Sequence, residues 1–288
     1  MRLPSANKAT SMSKTWLITG ASSGFGRLLA ETVLARGDRI VATVRTPQAL
    51  ADLQARYGDA ATVLQLDVRD FAAVHAAVAQ AFAALGRIDV VVSNAGYGTL
   101  GAAEAATEAQ VRAIIDTNLI GSIALIQAVL PRLRQQGGGH VVQVSSEGGQ
   151  IAYPGFSLYH ASKWGIEGFV EAVQQEVAGF GIHFTLAEPG PARTNFGAAL
   201  VRTDIPADYA DTPVGALSRA LDDGSWVIAG DPQRMVDAMI ASTEHAPPPR
   251  RLVMGASAYH SIRQALGARL AELEAQRGIA LSTDSPPP

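Results

Sequence analysis

The chain has no cysteine, few aromatic residues (6%) and no excess of positive charge, and each lack removes a class of function. Without cysteine there is no disulfide framework, no thiol nucleophile and no Cys-ligated zinc or iron–sulfur site, and the redox compartment stays open. A metal would have to be held by the six His and the carboxylates, and none is expected. Lys and Arg number 23 against 26 Asp and Glu, a formal net charge of -3. No overall positive field therefore draws the chain to nucleic acid or to an anionic membrane. Every hydrophobic run is broken by Gly, Arg, Asp or Gln before the roughly 18 apolar residues of a membrane helix are reached. The opening MRLPSANKATSMS lacks the apolar middle of a secretory signal. It is expected to be a disordered leader (residues 1–13), with Met12 as a second possible start, and the chain is expected to be cytoplasmic.

The 288 residues are 48% hydrophobic, enough for one large core. Short apolar runs alternate with longer stretches whose apolar residues recur every three or four positions, the pattern of βαβ units on a parallel sheet. The runs Trp16–Thr19, Arg39–Val44, Thr62–Leu66, Ile88–Ser93, His140–Ser145, His183–Ala187 and Arg251–Met254 predict seven strands. The expected fold is α/β: a single doubly wound domain over residues 14–278, its seven-stranded parallel sheet flanked by helices. One long helix is expected over Thr107–Arg134. The Pro-containing tract 190–230 reads as a substrate lid or an irregular insertion, and residues 279–288 as a disordered tail.

The first strand runs into Thr19-Gly20-Ala21-Ser22-Ser23-Gly24-Phe25-Gly26 and then a helix. Glycines there let the backbone approach a pyrophosphate, and the helix N-terminus offers free N–H groups. The same residues match the G-x-S-x-G elbow of serine hydrolases, but that elbow does not belong on the first strand. No Gly-Lys-Ser/Thr follows, which removes the P-loop reading. Tyr159 and Lys163 stand four apart, on one face of a predicted helix, where the ammonium could ease ionisation of a phenol whose ordinary pKa is about 10. At the end of the second strand the acidic position that would receive a ribose 2′-hydroxyl is Val44, and Arg45 follows it. An arginine welcomes a 2′-phosphate where an acid would repel it. NADP(H) is therefore expected over NAD(H), with Arg45 as the phosphate clamp and Thr46 beside it.

In order along the chain, the glycine turn, Asp67-Val68, Asn94-Ala95-Gly96-Tyr97-Gly98, Asn118, Ser146, Tyr159-His160-Ala161-Ser162-Lys163 and Pro189-Gly190 resemble the short-chain dehydrogenase/reductase family. The resemblance spans about Lys14 to Met254. It implies hydride transfer between a nicotinamide and a carbonyl or carbinol carbon, without metal. Tyr159 would be the acid–base group, Ser146, 13 residues before it, would orient the substrate oxygen, and Lys163 would tune Tyr159 and bind ribose. Asn118 resembles the family residue of a water-linked proton relay through Lys163, or is simply a polar residue that kinks the helix. Asp67 and Val68 would contact adenine, and Asp67 could cap the next helix instead or as well. Asn94, Ala95 and Gly96 would support the sheet centre beside the cofactor. Pro189, Gly190 and Thr194 would reach the nicotinamide end. Gly20, Ser22, Ser23, Gly24, Phe25 and Gly26 would cradle the phosphates.

The loops after the strands supply Tyr97, Leu100, Tyr153, Phe156, Phe196, Leu200 and Trp226, a lining for an apolar or aromatic carbonyl compound. Glu147, directly after Ser146, either receives a basic substrate group or faces solvent. A non-catalytic NADP(H)-sensing protein on the same fold is the alternative, yet such proteins commonly lack the Tyr or the Lys. A methyltransferase would want an acid where Val44-Arg45 stands. Family members are frequently dimers or tetramers through the two long helices, so a homodimer or homotetramer is expected.

Overall fold

A computed structural model describes residues 13–285. The expected leader, Met12 included, therefore lies outside the described residues up to residue 12, as do the last three prolines. The first half of the chain builds β1 (Thr15–Thr19), α1 (Gly24–Ala35), β2 (Arg39–Val44), α2 (Ala51–Tyr57), β3 (Ala61–Gln65), α3 (Phe71–Leu85), β4 (Val90–Ser93) and a two-residue β5 (Thr99–Leu100). It continues with α4 (Glu108–Ile115), α5 (Gly121–Gln135), β6 (Gly139–Val144), α6 (Ser157–Glu176) and β7 (Ile182–Pro189). A second two-residue strand, β8 (Val201–Arg202), precedes α7 (Pro213–Asp222), α8 (Pro232–Ser242), β9 (Arg251–Met254), α9 (Ala256–Ala275) and α10 (Arg277–Ser282).

Seven strands form one parallel sheet in the order β3-β2-β1-β4-β6-β7-β9. Strands such as VVVS in β4 are buried along their whole length, as a sheet covered on both faces requires. One face packs α3, α5 and α6 through Val74, Val78, Leu125, Val129, Ile166 and Val170. The other packs α1, α2 and α8 through Leu29, Val33, Leu53, Val236 and Ile240. The chain reverses its direction of growth between β1 and β4, and the crevice at their C-terminal ends is where such sheets bind ligands.

Three expectations change. The helix over 107–134 is interrupted: Thr107 opens it with a capping box to Gln110, but Asp116–Ile120 widens into a π turn before α5 resumes. The hydrophobic spacing shows only a continuous apolar stripe, because one inserted residue per turn shifts the register without changing composition. By length and composition the stretch Glu108–Gln135 would also pass for a membrane span, but half of its most apolar window is buried in the protein.

The tract 190–230 is neither irregular throughout nor an insertion without partners. β8 pairs in parallel with β5, Thr203 N–H donates to Leu100 O at 2.8 Å, and α7 follows. A two-residue strand leaves no periodicity to read. Lastly, α10 takes residues 279–282 of the expected tail into a helix, where Ile279, Ala280 and Leu281 favour helix over coil.

Candidate active site

One cleft of about 580 Å³ opens at the switch point. It runs from the glycine turn past Arg45 and Asp67 to Ser146, Tyr159 and Lys163, and ends under Phe196, Leu200 and Trp226. The glycine turn divides its labour. A Cβ on Gly20 would sit 2.7 Å from Ala95 Cα, and one on Gly26 would sit 2.5 Å from Asn94 Nδ2, so these two let the strand, turn and α1 close on one another. Gly24 has a φ of 55° and open space around it, at the mouth of the cleft. Ser22 and Ser23 are exposed, and Ser23 caps α1 without a side-chain hydrogen bond, leaving the first-turn N–H groups for an anion. Open backbone donors beside a cradle that only glycine allows fit a dinucleotide pyrophosphate.

Asn94 is held inward: its Nδ2 donates to Thr19 O and Gly20 O, both at 3.0 Å, so it fixes the turn. Arg45 and Asp67 line the cleft at the ends of β2 and β3. The Arg45 charge reaches Asp67, but the hydrogen-bonded partner of Asp67 is Arg69, whose guanidinium holds that carboxyl below its ordinary value. The helix cap is Asp70, which accepts from Ala73 N–H at 3.0 Å, so Asp67 does not cap α3. Arg69, which no motif singles out, lines the same wall; its only signal in the sequence is a second cation two residues beyond Asp67. Thr46 is exposed, starts the 3-10 turn at Pro47 and does not line the cleft.

Tyr159 and Lys163 lie on one face of α6 as their spacing requires, with Lys163 Nζ 5.6 Å from the phenol ring centroid. Both are buried, 6% exposed each, and burial acts on them in opposite senses. It pushes the Tyr159 phenol up to about 12, against the Ser146 hydroxyl that favours the phenolate. It pulls the Lys163 ammonium down to about 8, against the nearby Glu167. Lys163 Nζ donates to Val144 O at 3.0 Å and retains two further donors. Desolvation is the largest influence on both groups.

Ser146 Oγ accepts from Gly148 N–H at 3.1 Å, which leaves its own proton free toward the cleft. The adjacent Ser145 turns the other way, and its Oγ donates to Glu167 Oε1 at 2.5 Å. Asn118 sits in the π turn, and its side chain is fully engaged. Oδ1 accepts from Tyr97 N–H at 3.0 Å, while Nδ2 donates to Tyr97 O at 2.8 Å and to Ser162 Oγ at 3.1 Å. It does not line the cleft and makes no hydrogen bond to Lys163 among the described residues. It therefore holds the Tyr97 loop against α6.

On the substrate side Tyr97, Tyr153, Phe156, Leu200, Leu217 and Leu221 pack around Tyr159. Phe196 meets the Tyr159 ring edge-on at 5.7 Å, and a Cβ on Gly98 would collide with Phe196 and Leu200, so the lid is seated closely on the loop after β4. Pro189, Gly190 and Thr194 line the cofactor end. Behind the site lies a polar cluster that no sequence motif reveals. Arg251 on β9 donates to Glu167 at 2.5 Å, to Glu171 at 2.5 Å and to Glu188, which also receives Gln150. Its parts are far apart in sequence and carry no shared spacing.

The sequence model of short chain dehydrogenases matches residues 14–204. The chain belongs to that family. It is 36% identical over 273 residues to oxidoreductase BOA17 of Botryotinia fuckeliana, covering 94% of this chain and 100% of that one. A 3-ketodihydrosphingosine reductase of Bacteroides thetaiotaomicron is 38% identical over 205 residues, 70% of this chain and 73% of the relative. A solved short-chain dehydrogenase from Streptomyces avermitilis superposes with a TM-score of 0.88 at 39% identity, covering 96% of this chain and all of the other. Members bind a nicotinamide cofactor and act as oxidoreductases on small molecules.

Proposed function

We propose that this dehydrogenase is an NADP(H)-dependent ketone or aldehyde reductase, or in reverse a secondary-alcohol dehydrogenase, with Tyr159 as its acid–base group. The observation that carries the reading is a buried phenol beside Ser146 and Lys163, in one cleft joining a phosphate-binding turn to an apolar lid. The bound cofactor supplies the hydride, or takes it in the reverse direction.

The residues divide the remaining work. The glycine turn, Ser22, Ser23 and the N-terminus of α1 hold the pyrophosphate. Arg45 meets a 2′-phosphate, Asp67 and Val68 border the adenine, and the free donors of Lys163 hold ribose hydroxyls. Thr194, with Pro189 and Gly190, meets the carboxamide. Ser146 Oγ–H points at the substrate oxygen and fixes its distance from the phenol. A phenol whose pKa is raised keeps its proton at neutral pH, so Tyr159 is ready to donate it to the carbonyl oxygen as the hydride arrives at carbon. Apolar walls exclude water from that transfer, and the substrate is accordingly an apolar or aromatic carbonyl compound. The relatives include a 3-ketodihydrosphingosine reductase and a retinol dehydrogenase, so both directions of the proposed reaction have a precedent among them. We also propose a cytoplasmic homodimer or homotetramer.

The test is nicotinamide absorbance over aromatic ketones, steroids, retinoids and aliphatic carbonyls, with NADPH and NADH in parallel. Turnover with NADPH, lost in Tyr159→Phe, is expected. Turnover that survives that substitution, or a preference for NADH, would contradict the respective half of the reading.

A further inference from the structure

The turn after β6 places a carboxylate where the apolar lining gives it no partner. Glu147 follows Ser146 in a short 3-10 turn, is 6% exposed and lines the cleft rather than the outer surface. The turn cannot swing it outward. Ser146 Oγ and His160 Nδ1 both hold Gly148, the latter through its carbonyl at 2.9 Å, and a Cβ on Gly149 would overlap Glu167 Oε1. Among the described residues no hydrogen bond or ion pair holds the Glu147 carboxylate, and burial alone raises it to about 7. The buried cation of the same cleft, Lys163, is directed at Val144 O and is coupled to Glu167 instead. Glu147 directly follows Ser146 and lines the same cleft as Tyr153 and Tyr159, so its carboxylate belongs to the end of the cleft where these side chains converge.

A carboxylate without a partner in a largely apolar cleft is costly unless it is neutral or paired, and only a cation cancels the charge as well as filling the lone pairs. We propose that Glu147 is a specificity-determining residue that selects substrates with an ammonium group near the carbonyl or carbinol carbon. The substrate class is an apolar amino ketone or amino alcohol. The proposal rests on the oxidoreductase reading for the identity of the reacting carbon, and on the geometry of the turn for the rest.

Two alcohols that differ by an ammonium in place of a methyl test it: 2-amino-1-phenylethanol and 1-phenylpropan-1-ol. Their binding at pH 7.5 is measured by calorimetry on the whole chain, with and without NADPH, in wild type, Glu147→Gln and Glu147→Leu, each checked by thermal unfolding. The expected result is roughly tenfold or more tighter binding of the amine in wild type, a preference that both variants lose while affinity for the methyl compound persists. Equal or weaker binding of the amine, binding of neither compound, or a preference that survives in the variants overturns the proposal. A parallel NADPH oxidation assay with the corresponding ketones, 2-amino-1-phenylethanone and 1-phenylpropan-1-one, as hydride acceptors separates this failure from that of the oxidoreductase reading. An amine preference in a chain without turnover would sink that reading and leave the recognition role of Glu147 intact.

Discussion

Burial, more than pairing, sets the charges of three titratable groups around the reaction end of this cleft. Tyr159, Glu147 and Lys163 all shift toward their neutral forms, and desolvation is the largest cause in each case. For Glu147 the folded pKa of about 7 stands above its ordinary 4.5. The folded state therefore holds a proton that the unfolded state has lost between those values, and stability falls as pH rises through that window. Glu147→Gln removes the loss, so the variant should be more stable than wild type by about 1–2 kcal/mol at pH 8 and equal to it near pH 4.5. Denaturant unfolding at the two pH values checks this, and equal stability at pH 8 would contradict it. Arg45 is the second residue with a distinct expectation. Arg45→Asp puts a negative charge where the 2′-phosphate would lie and should lower kcat/KM with NADPH by about tenfold or more while sparing NADH. Unchanged cofactor preference in parallel kinetics would remove Arg45 from the site. That these residues share one cleft was legible from type and order, because Tyr, Lys, Ser and glycine spacing survive as a linear pattern. Their ionisation was not, since it depends on what the fold packs around them.

At the scale of elements, the site is fastened from behind by Arg251. From β9 it joins Glu167 and Glu171 on α6 with Glu188 on β7, and through Ser145 and Gln150 it braces both sides of the turn that carries Ser146 and Glu147. Burial raises Glu188 to about 7, so this cluster depends on its one guanidinium. Arg251→Met leaves buried carboxylates without a counter-charge and should cost about 3–5 kcal/mol in unfolding experiments. A loss under about 1 kcal/mol would show the cluster to be solvated in practice. The seven main strands were readable because buried parallel strands are continuous apolar runs. The π turn at Asn118 and the two-residue β5–β8 pairing were not, because the first is a local shift of the helical hydrogen-bond ladder that leaves composition unchanged and the second rests on a few backbone hydrogen bonds between distant residues. Asn118 was found by its motif, but its engagement with Tyr97 and Ser162 required the fold.

For the whole molecule, a doubly wound sheet brings residues from 20 to 228 to one crevice, and that convergence places the glycine turn and the Tyr159 phenol in a single cleft. The proposed homodimer or homotetramer predicts a mass of two or four times 30.0 kDa by light scattering, and a monomer at micromolar concentration would contradict it. The central claim is that Tyr159 performs chemistry in a pocket whose cofactor is held by other residues. It is tested most directly by measuring NADPH binding and carbonyl turnover side by side in wild type and Tyr159→Phe. We expect comparable NADPH affinity in both proteins and a turnover loss of about 10²-fold or more in the variant. Equal turnover in the two proteins, or no NADPH binding by either, would contradict the claim.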